Sequence, residues 1–202
     1  MKIIQCLSVL YLLLFYSREK QNPSLIENIT KNHSSLLPLT QYTIRQGQQF
    51  CDKSSFIPVE YAELKFVVKF DSSAIYYTVN PSNQYDINKL YGFSDNDSGH
   101  HLYSARFGWR WSDQALRLFA YVYDSGIRRS KELGIVQIGA ENNCSVKVTG
   151  GHYIFSLNNV TDTILRTSTT DRGKGYKLYP YFGGDETEPH DINILIKEFK
   201  PD

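Results

Sequence analysis

The chain has 202 residues, with 22 Lys and Arg against 21 Asp and Glu, and it is 41% hydrophobic and 14% aromatic. This hydrophobicity excludes an intrinsically disordered chain, three cysteines are too few for a disulfide-rich scaffold, and a net charge of +1 gives no general attraction for nucleic acid. Fifteen tyrosines and a single methionine favour strands over helices.

The N-terminus has the pattern of an export signal. Lys2 precedes an apolar stretch over residues 3–16, which is shorter than the about 20 residues that a membrane-spanning helix needs. We therefore predict a signal peptide at residues 1–17, although the basic residues just after it would also suit a retained anchor. Residues 18–40 are polar and are predicted to be a flexible leader. These features predict a secreted, periplasmic or cell-surface protein with no further membrane segment.

Two cysteines remain once the signal, which contains Cys6, is removed. In an oxidising compartment Cys51 and Cys144 could form a disulfide, and the alternative is two separate buried thiols. The sequence does not give the distance between them, so both alternatives stay open. A metal site at either cysteine is not expected, because neither has a second ligand at short spacing.

From residue 41 onward, short segments with strand periodicity alternate with turn residues, and no amphipathic helix is found. The segments are 64–70, 75–79, 105–111, 116–123, 134–138, 145–149, 152–157, 163–166, 177–181 and 192–198. Gly, Asn and Asp turn residues separate them, at 124–126, 150–151, 158–159 and 183–184. The pattern predicts a single all-β domain over residues 41–202, an antiparallel two-sheet β-sandwich.

Three segments carry a resemblance to a known fold. Residues 116–123 (LRLFAYVY), 151–159 (GHYIFSLNN) and 177–185 (KLYPYFGGD) resemble, in order and composition, the concanavalin-A-like jelly rolls. This group includes lectins, laminin-G-type modules and some secreted glycoside hydrolases and polysaccharide lyases. The resemblance covers residues 60–199 and implies a jelly-roll sandwich that acts on or binds glycans. The E-x-D-x-x-E glutamate pair of one large glycosidase family of this fold is absent.

A second resemblance is narrower. Residues 83–95 and 104–111 are similar to a group of short secreted bacterial proteins. That likeness implies export and supplies no activity.

The strongest candidate site is one face of the two most aromatic strands. If Phe107 and Trp109 face the core, Arg106 and Arg110 face outward on either side of Gly108. The next strand presents its own outward set. The six outward side chains are Arg106, Arg110, Arg117, Phe119, Tyr121 and Tyr123. Aromatic rings stack on the C–H faces of sugars, and guanidinium groups bind carboxylates or sulfates. The alternative is that a loop or the N-terminal segment covers this face.

An acidic turn is the candidate cation site. Asp95 and Asp97, with turn carbonyls and with Asp86 and Asn88 nearby, could ligate Ca²⁺, which takes six to eight oxygens. The EF-hand pattern fails, because no Glu stands at its twelfth position. A solvated polar turn is the alternative. A metal role for His100–His101 is not expected, because neighbouring side chains on a strand point to opposite faces.

Catalytic candidates are weaker. The loop acids Asp185, Glu186, Glu188 and Asp191, with His190, contain carboxylates of the kind that hydrolyse glycosides, but the sequence does not give their separation. A lyase needs a Tyr or His base and a group that neutralises a uronate. Residues of these types are Arg106, Arg110, Tyr121 and His152.

The sequence therefore predicts non-catalytic recognition of an acidic polysaccharide on the Arg and aromatic face. The first alternative is a polysaccharide lyase or glycoside hydrolase on the same scaffold, with unknown catalytic residues. The second is a structural or adhesion protein of the surface. No cofactor is expected apart from the candidate Ca²⁺, and no nucleic-acid partner.

Overall fold

A computed structural model describes residues 40–199 of the chain. The predicted signal peptide and all of the predicted leader except Thr40 lie outside the described residues. Within them, no helix has the length and apolar character needed to cross a membrane.

Residues 40–199 form twelve strands in two antiparallel six-stranded sheets. Sheet 1 contains, in spatial order, β1 (Thr40–Ile44), β12 (Ile192–Glu198), β3 (Glu63–Phe70), β8 (Glu141–Thr149), β9 (His152–Leu157) and β10 (Val160–Leu165). Sheet 2 contains β2 (Pro58–Tyr61), β11 (Gly173–Leu178), β4 (Asn88–Ser94), β5 (Ser104–Ser112), β6 (Ala115–Asp124) and β7 (Ile127–Val136). Two short 3-10 helices, Ser72–Ala74 and Pro81–Tyr85, lie between β3 and β4.

The connections between strands make this sandwich a jelly roll. β4 to β7 follow one another in sheet 2, and β8 to β10 follow one another in sheet 1. The last two strands return to the first ones, because β11 pairs with β2 and β4, and β12 pairs with β1 and β3. Strands distant in sequence thus lie side by side in both sheets. The predicted antiparallel two-sheet sandwich with jelly-roll connections is confirmed.

The core fills the space between the sheets. Phe66 and Phe70 of β3 meet Phe107 and Trp109 of β5, with ring centroids 5.4 Å apart for Phe66 and Phe107 and 5.5 Å apart for Phe70 and Trp109. Phe155 of β9 lies 5.5 Å from Phe107. All five rings are fully buried. Because the odd-numbered side chains of β5 enter the core, its even-numbered side chains point to the outer face of sheet 2.

Hydrophobic alternation locates most of the strands. The segments predicted at 64–70, 105–111, 116–123, 152–157 and 192–198 coincide with β3, β5, β6, β9 and β12. Those at 134–138, 145–149, 163–166 and 177–181 overlap β7, β8, β10 and β11 with shifted bounds. The pattern does not predict β1, β2 and β4. β4 shows no alternation because nearly all of its side chains are buried, whichever face they lie on.

The strand predicted at 75–79 is wrong. The segment follows the first 3-10 helix and is irregular, with the backbone N–H of Thr78 donating to the side chain of Gln84 at 2.9 Å instead of to a neighbouring strand. Tyr76 is buried against Trp109, whereas Tyr77 is 71% exposed. An irregular segment that anchors one ring in the core therefore imitates strand alternation.

The disulfide between Cys51 and Cys144 is not formed, and the alternative of two buried free thiols is the one observed. Cys51 pairs through backbone hydrogen bonds with Ile44 of β1. Cys144 lies in β8, opposite Phe66 of β3 on one side and Leu157 of β9 on the other. Since β12 and β3 separate β1 from β8, at least three strand spacings of about 4.8 Å lie between the two cysteines. A disulfide requires Cα atoms no more than about 7 Å apart.

Candidate functional site

The outer face of β5 and β6 holds the six side chains that the sequence selects. The register of this pair places Arg106 opposite Tyr121 and Arg110 opposite Arg117. All six therefore share one face of sheet 2. Their surroundings, however, divide them into a covered group and a group that lines a cleft.

Arg110 belongs to the covered group. Its guanidinium donates to the carbonyl oxygen of Tyr85 at 2.9 Å and to Oγ of Ser112 at 3.0 Å. It also lies over the ring of Phe119, 4.8 Å from the centroid, and Phe119 is buried. Both side chains are thus engaged within the fold, and the Phe119 ring offers no free face for a sugar.

Arg117 and Gly108 are covered as well. Arg117 forms ion pairs with Glu132 at 2.8 Å and with Asp113 at 3.5 Å. The space beside Gly108 is taken by Ile87, whose side chain a Cβ atom at Gly108 would meet. The expectation that Gly108 leaves room for a ligand is therefore wrong, because the segment before β4 lies over it.

A cleft of about 740 Å³ opens over the other half of the face. Its lining comes from β4, β5, β6, β7 and β11, from the segments after β1 and after β11, and from the turn before β5. Arg106, Tyr121 and Tyr123 are the three predicted site residues in this lining. The cleft thus joins part of the predicted face to residues from elements far away in sequence.

The charge of the lining is one-sided. It includes four basic side chains, Lys89, Arg106, Arg128 and Lys177, and no Asp or Glu. Lys177 is neutralised by Glu198, with 2.6 Å between Nζ and Oε2. The other three form no ion pair within residues 40–199. The cleft therefore has a net positive charge without a counter-charge in its walls.

Arg106 is the most deeply placed of these cations. It is 6% exposed, and its Nε is buried without a hydrogen-bond partner among the described residues. Its Cζ lies 5.5 Å from the centroid of the Tyr121 ring. Burial lowers the pKa of Arg106 to about 10, so the guanidinium keeps its charge at neutral pH. A buried cation without a partner is costly, so the binding of an anion beside it is strongly favoured.

Lys89 of β4 lies beside Arg106. Its Nζ is 5.4 Å from the centroid of the same Tyr121 ring, and its ammonium group has no hydrogen-bond acceptor in the described part of the chain. Burial first and the Arg106 charge second lower the pKa of Lys89 to about 8. Two cations thus cover Tyr121, which is buried, and the ring is not available for stacking.

Exposed aromatic rings come from another part of the chain. Phe50 is 60% exposed and Phe56 is 75% exposed, and both line the cleft. Phe56 packs against Tyr176 of β11 with 5.3 Å between the ring centroids, and Tyr179 and Tyr181 also belong to the lining. The aromatic surface of the cleft is therefore built by the segment after β1, by β11 and by the segment that follows β11.

A histidine and a tyrosine form a hydrogen-bonded pair in the lining. Nδ1 of His100 lies 2.7 Å from the hydroxyl of Tyr176. Burial, and then the charges of Arg106 and His101, lower the pKa of His100 to about 4, so its ring is neutral at neutral pH. The adjacent His101 also lines the cleft. The two histidines lie in a turn, where neighbouring side chains are not forced to opposite faces as they are in a strand. By contrast, His152 is exposed on β9 of sheet 1, outside the cleft.

The acidic turn is used by the fold. Asp95 is fully buried, and its carboxylate forms an ion pair with Arg166 at 2.8 Å and accepts from Tyr153 at 2.6 Å. Asp97 pairs with Lys174 at 3.0 Å. Both oxygens of Asp95 already accept hydrogen bonds from side chains of the fold, so this carboxylate is engaged where the sequence suggests a Ca²⁺ ligand. Residues 40–199 contain no group of three or more His, Cys, Asp or Glu side chains that could hold a metal ion.

The loop acids do not line the cleft either. Glu186 accepts hydrogen bonds from the backbone N–H groups of Val79 and Asn80, both at 2.8 Å, and Asp191 pairs with Arg45 at 2.8 Å. Glu188 is buried, and neither carboxylate oxygen has a partner among the described residues. The lining therefore lacks the two facing carboxylates that glycoside hydrolysis commonly uses.

Neither the comparison with protein-family models nor that with curated proteins finds a match for this chain. Among solved structures, it is similar to a glycoside hydrolase family 16 endo-glucanase from Bacteroides ovatus, at 13% identity over 79% of each chain with a TM-score of 0.49. It is also similar to an alginate lyase of polysaccharide lyase family 7, at 11% identity over 80% of this chain and 74% of that chain, with a TM-score of 0.41. A carbohydrate-binding module from Bacillus subtilis is similar at 9% identity over 76% of this chain and 83% of that chain, with a TM-score of 0.36. At these values the likenesses carry no argument about activity, which rests on the cleft itself.

Proposed function

We propose that this protein binds an acidic polysaccharide in the cleft over sheet 2. The observation that carries the proposal is the pair of unpaired cations, Lys89 and Arg106, in a lining that contains no acidic side chain. An anionic group of the ligand would supply the negative charge that the lining of the cleft lacks. Carboxylate and sulfate groups both meet this requirement through charge-assisted hydrogen bonds.

The aromatic side of the cleft favours a sugar polymer over a small inorganic anion. Phe50 and Phe56 expose ring surface next to the cations, and Tyr176 supplies both a ring and a hydroxyl. Apolar C–H faces of pyranose rings pack on such surfaces, while their hydroxyl groups bond to polar neighbours. A ligand with an acidic group and flat C–H faces uses both sides of the cleft.

The expected affinity is modest. A charge-assisted hydrogen bond contributes about 1.5–3 kcal/mol and an aromatic contact about 0.5–1.5 kcal/mol, and the ordering of a flexible glycan opposes both. Binding should therefore be micromolar or weaker, and it should weaken with added salt, because salt screens the attraction between an anionic ligand and the cations of the cleft.

Calorimetric titration with defined oligosaccharides tests the proposal. The intact protein is titrated with an oligouronate, a sulfated oligosaccharide and a neutral glucose oligomer of equal length. We expect binding of one or both acidic oligomers and none of the neutral one. Arg106→Gln should weaken binding about tenfold or more, since it removes one charge-assisted contact.

The matched control is Arg110→Gln. It removes the same charge from the same strand, but from a side chain that is engaged with Tyr85 and Ser112 outside the cleft. The affinity of Arg110→Gln for the acidic oligosaccharides should equal that of the unmodified protein. Equal binding of neutral and acidic oligomers, or equal losses in the two variants, would place recognition elsewhere. No affinity for any glycan would favour a structural or adhesion role.

A second candidate function is polysaccharide lyase activity, because a neutral histidine and a tyrosine hydroxyl lie in the same cleft as Arg106. Elimination from a uronate needs a base for the proton next to the carboxyl group and a cation for the carboxylate. His100 or Tyr176 would take the first role and Arg106 the second. Incubation of the bound oligouronate with the protein, followed by absorbance of the unsaturated product, separates this activity from binding alone. A His100→Asn variant that binds but forms no product would assign the base.

Export belongs to the same proposal. The predicted signal peptide and an extracellular polymer as ligand are consistent with each other. Mass spectrometry of the protein recovered from the medium should show a chain that starts near Arg18. An intact Met1 on the mature protein would contradict cleavage.

A further inference from the structure

The Lys89 side chain has a second property besides its charge. Its amine lies within the cleft, over the ring of Tyr121, and forms no ion pair or hydrogen bond with the described residues. Gly183 borders it so closely that a Cβ atom there would collide with Nζ. The amine is therefore enclosed by the fold, and it still opens to the cleft rather than to a partner side chain.

The charges around Lys89 act against its protonated form. Arg106 on β5 and Arg128 on β7 both repel the ammonium, whereas Asp86, in the segment before β4, favours it. Burial contributes most, and together these effects lower the pKa of Lys89 to about 8. At about pH 7.5 roughly a quarter of such amines are unprotonated, against about a thousandth for an ordinary lysine.

An unprotonated lysine amine beside another cation is a nucleophile toward carbonyl carbon. The neighbouring cations at the same time attract an anionic group on the molecule that carries the carbonyl. We propose that Lys89 is a covalent attachment site for anionic aldehydes, a class that includes the open-chain form of an acidic reducing sugar. The proposal uses the same cleft as glycan recognition and does not depend on it.

The reaction balances without a cofactor. The nitrogen lone pair attacks the aldehyde carbon, and the amine proton passes to the former carbonyl oxygen to give a carbinolamine. The carbinolamine then loses its hydroxyl group together with the remaining N–H proton as water, which leaves a carbon–nitrogen double bond, and hydrolysis reverses the step. Cyanoborohydride, added as the reductant, delivers hydride to the imine carbon and converts the adduct to a stable secondary amine.

The test is reductive labelling of the full-length protein with glyoxylate and cyanoborohydride, followed by peptide mapping. At about pH 7.5 we expect Lys89 to be labelled at least about tenfold faster than exposed lysines such as Lys53 and Lys131 in the same sample. The labelling rate of Lys89 should rise with pH and level off above about pH 8, whereas the labelling rates of the other lysines should keep rising. Lys89→Arg should remove the labelled peptide and leave the others unchanged.

Acetaldehyde serves as the neutral control of similar size. Lys89 should prefer glyoxylate over acetaldehyde, and Arg106→Gln should reduce that preference. Labelling of Lys89 no faster than of exposed lysines would overturn the proposal, and so would an equal preference for the two aldehydes. The comparison among lysines of the unmodified protein needs no variant, so a folding defect in a variant cannot decide it. Glycan binding measured separately distinguishes failure of this proposal from failure of the proposed function.

Discussion

At the scale of single residues, Arg106 shows how the cleft obtains its charge. The strand register fixes its position, since Phe107 on one side and Ala105 on the other enter the core. Its own side chain is buried on the outer face, with Nε unpaired in the described part of the chain. A cation in such a place costs stability, because it loses water without gaining an acceptor.

We therefore expect Arg106→Met to stabilise the protein while it weakens binding of acidic oligosaccharides. Relief of the buried charge should raise the free energy of unfolding by about 1–2 kcal/mol, which corresponds to several degrees in Tm. Arg110→Met provides the control of opposite sign, because it breaks hydrogen bonds to Tyr85 and Ser112. Thermal unfolding of the three proteins checks the prediction. A lower Tm for Arg106→Met would show that the guanidinium contributes to the fold.

The residues of the cleft also show how far sequence patterns reach. Strand alternation predicts that Arg106 and Tyr121 share one outer face, as observed, because alternation is a local property of a strand. It could not show that the Tyr121 ring is covered by Lys89, which comes from β4. Phe56 has no strand pattern around it and reaches the cleft only because β2 and β11 pair across more than a hundred residues. The face on which a side chain lies follows from the local sequence, whereas its solvent exposure and its neighbours depend on strands that are distant in the sequence.

At the scale of elements, residues 181–191 connect the cleft to the segment that follows β1. Phe182 and Glu188 donate their backbone N–H groups to Gln49 and Gln48, at 2.6 Å and 2.9 Å. Gly47 donates in return to the carbonyl oxygen of Glu188 at 2.9 Å. Phe50, which lines the cleft, lies on the segment held in this way. The buried Glu188 carboxyl is the weak point of the connection, because its oxygens have no partner within residues 40–199.

Burial raises the pKa of Glu188 from its ordinary value of 4.5 to about 9. The folded state therefore holds a proton that the unfolded chain releases above pH 4.5. The contribution of the protonated Glu188 to the free energy of unfolding is fully present below pH 4.5, falls as pH rises, and is lost as pH passes about 9. Urea unfolding between pH 5 and 9 should show stability declining by at most about 1.4 kcal/mol per pH unit from this group. Glu188→Gln, which stays neutral, should flatten the profile in this window.

Glu186 gives the control for that experiment. Backbone N–H groups of Asn80 and Val79 lower the pKa of Glu186, so its contribution is present above its ordinary value and is lost in acid. Glu186→Gln should therefore change the acid side of the profile and leave the decline toward pH 9 in place. An unchanged decline in Glu188→Gln would mean that another group causes it.

At the scale of the whole molecule, the charge is nearly balanced while the cleft is not. The net charge of +1 gives little long-range attraction for a polyanion. The jelly roll instead gathers Lys89, Arg106 and Arg128 from β4, β5 and β7 of sheet 2 into a lining that contains no acidic side chain. Turn residues and alternation were enough to predict the two sheets, because both are short-range signals. The gathering of charge depends on strand order, which those signals do not specify.

This arrangement predicts that acidic glycan binding is linked to protons. The ammonium of Lys89 is needed opposite the anion, and its pKa is about 8 in the free protein, whereas the pKa of Arg106 is about 10 and that of His100 about 4. Between about pH 7 and 9 Lys89 is therefore the cleft side chain expected to change charge most. Affinity should be constant near pH 7 and should fall as pH rises past 8, approaching about tenfold per pH unit where deprotonation is complete.

Titrations of the oligouronate at several pH values and constant ionic strength measure this fall. Lys89→Arg should remove it, because a guanidinium stays charged throughout the range. The variant should also bind more tightly than the unmodified protein at pH 9, since it retains a cation where lysine has lost one. A pH dependence that persists in Lys89→Arg would assign the proton to another group, and a flat profile in the unmodified protein would exclude Lys89 from the anion site.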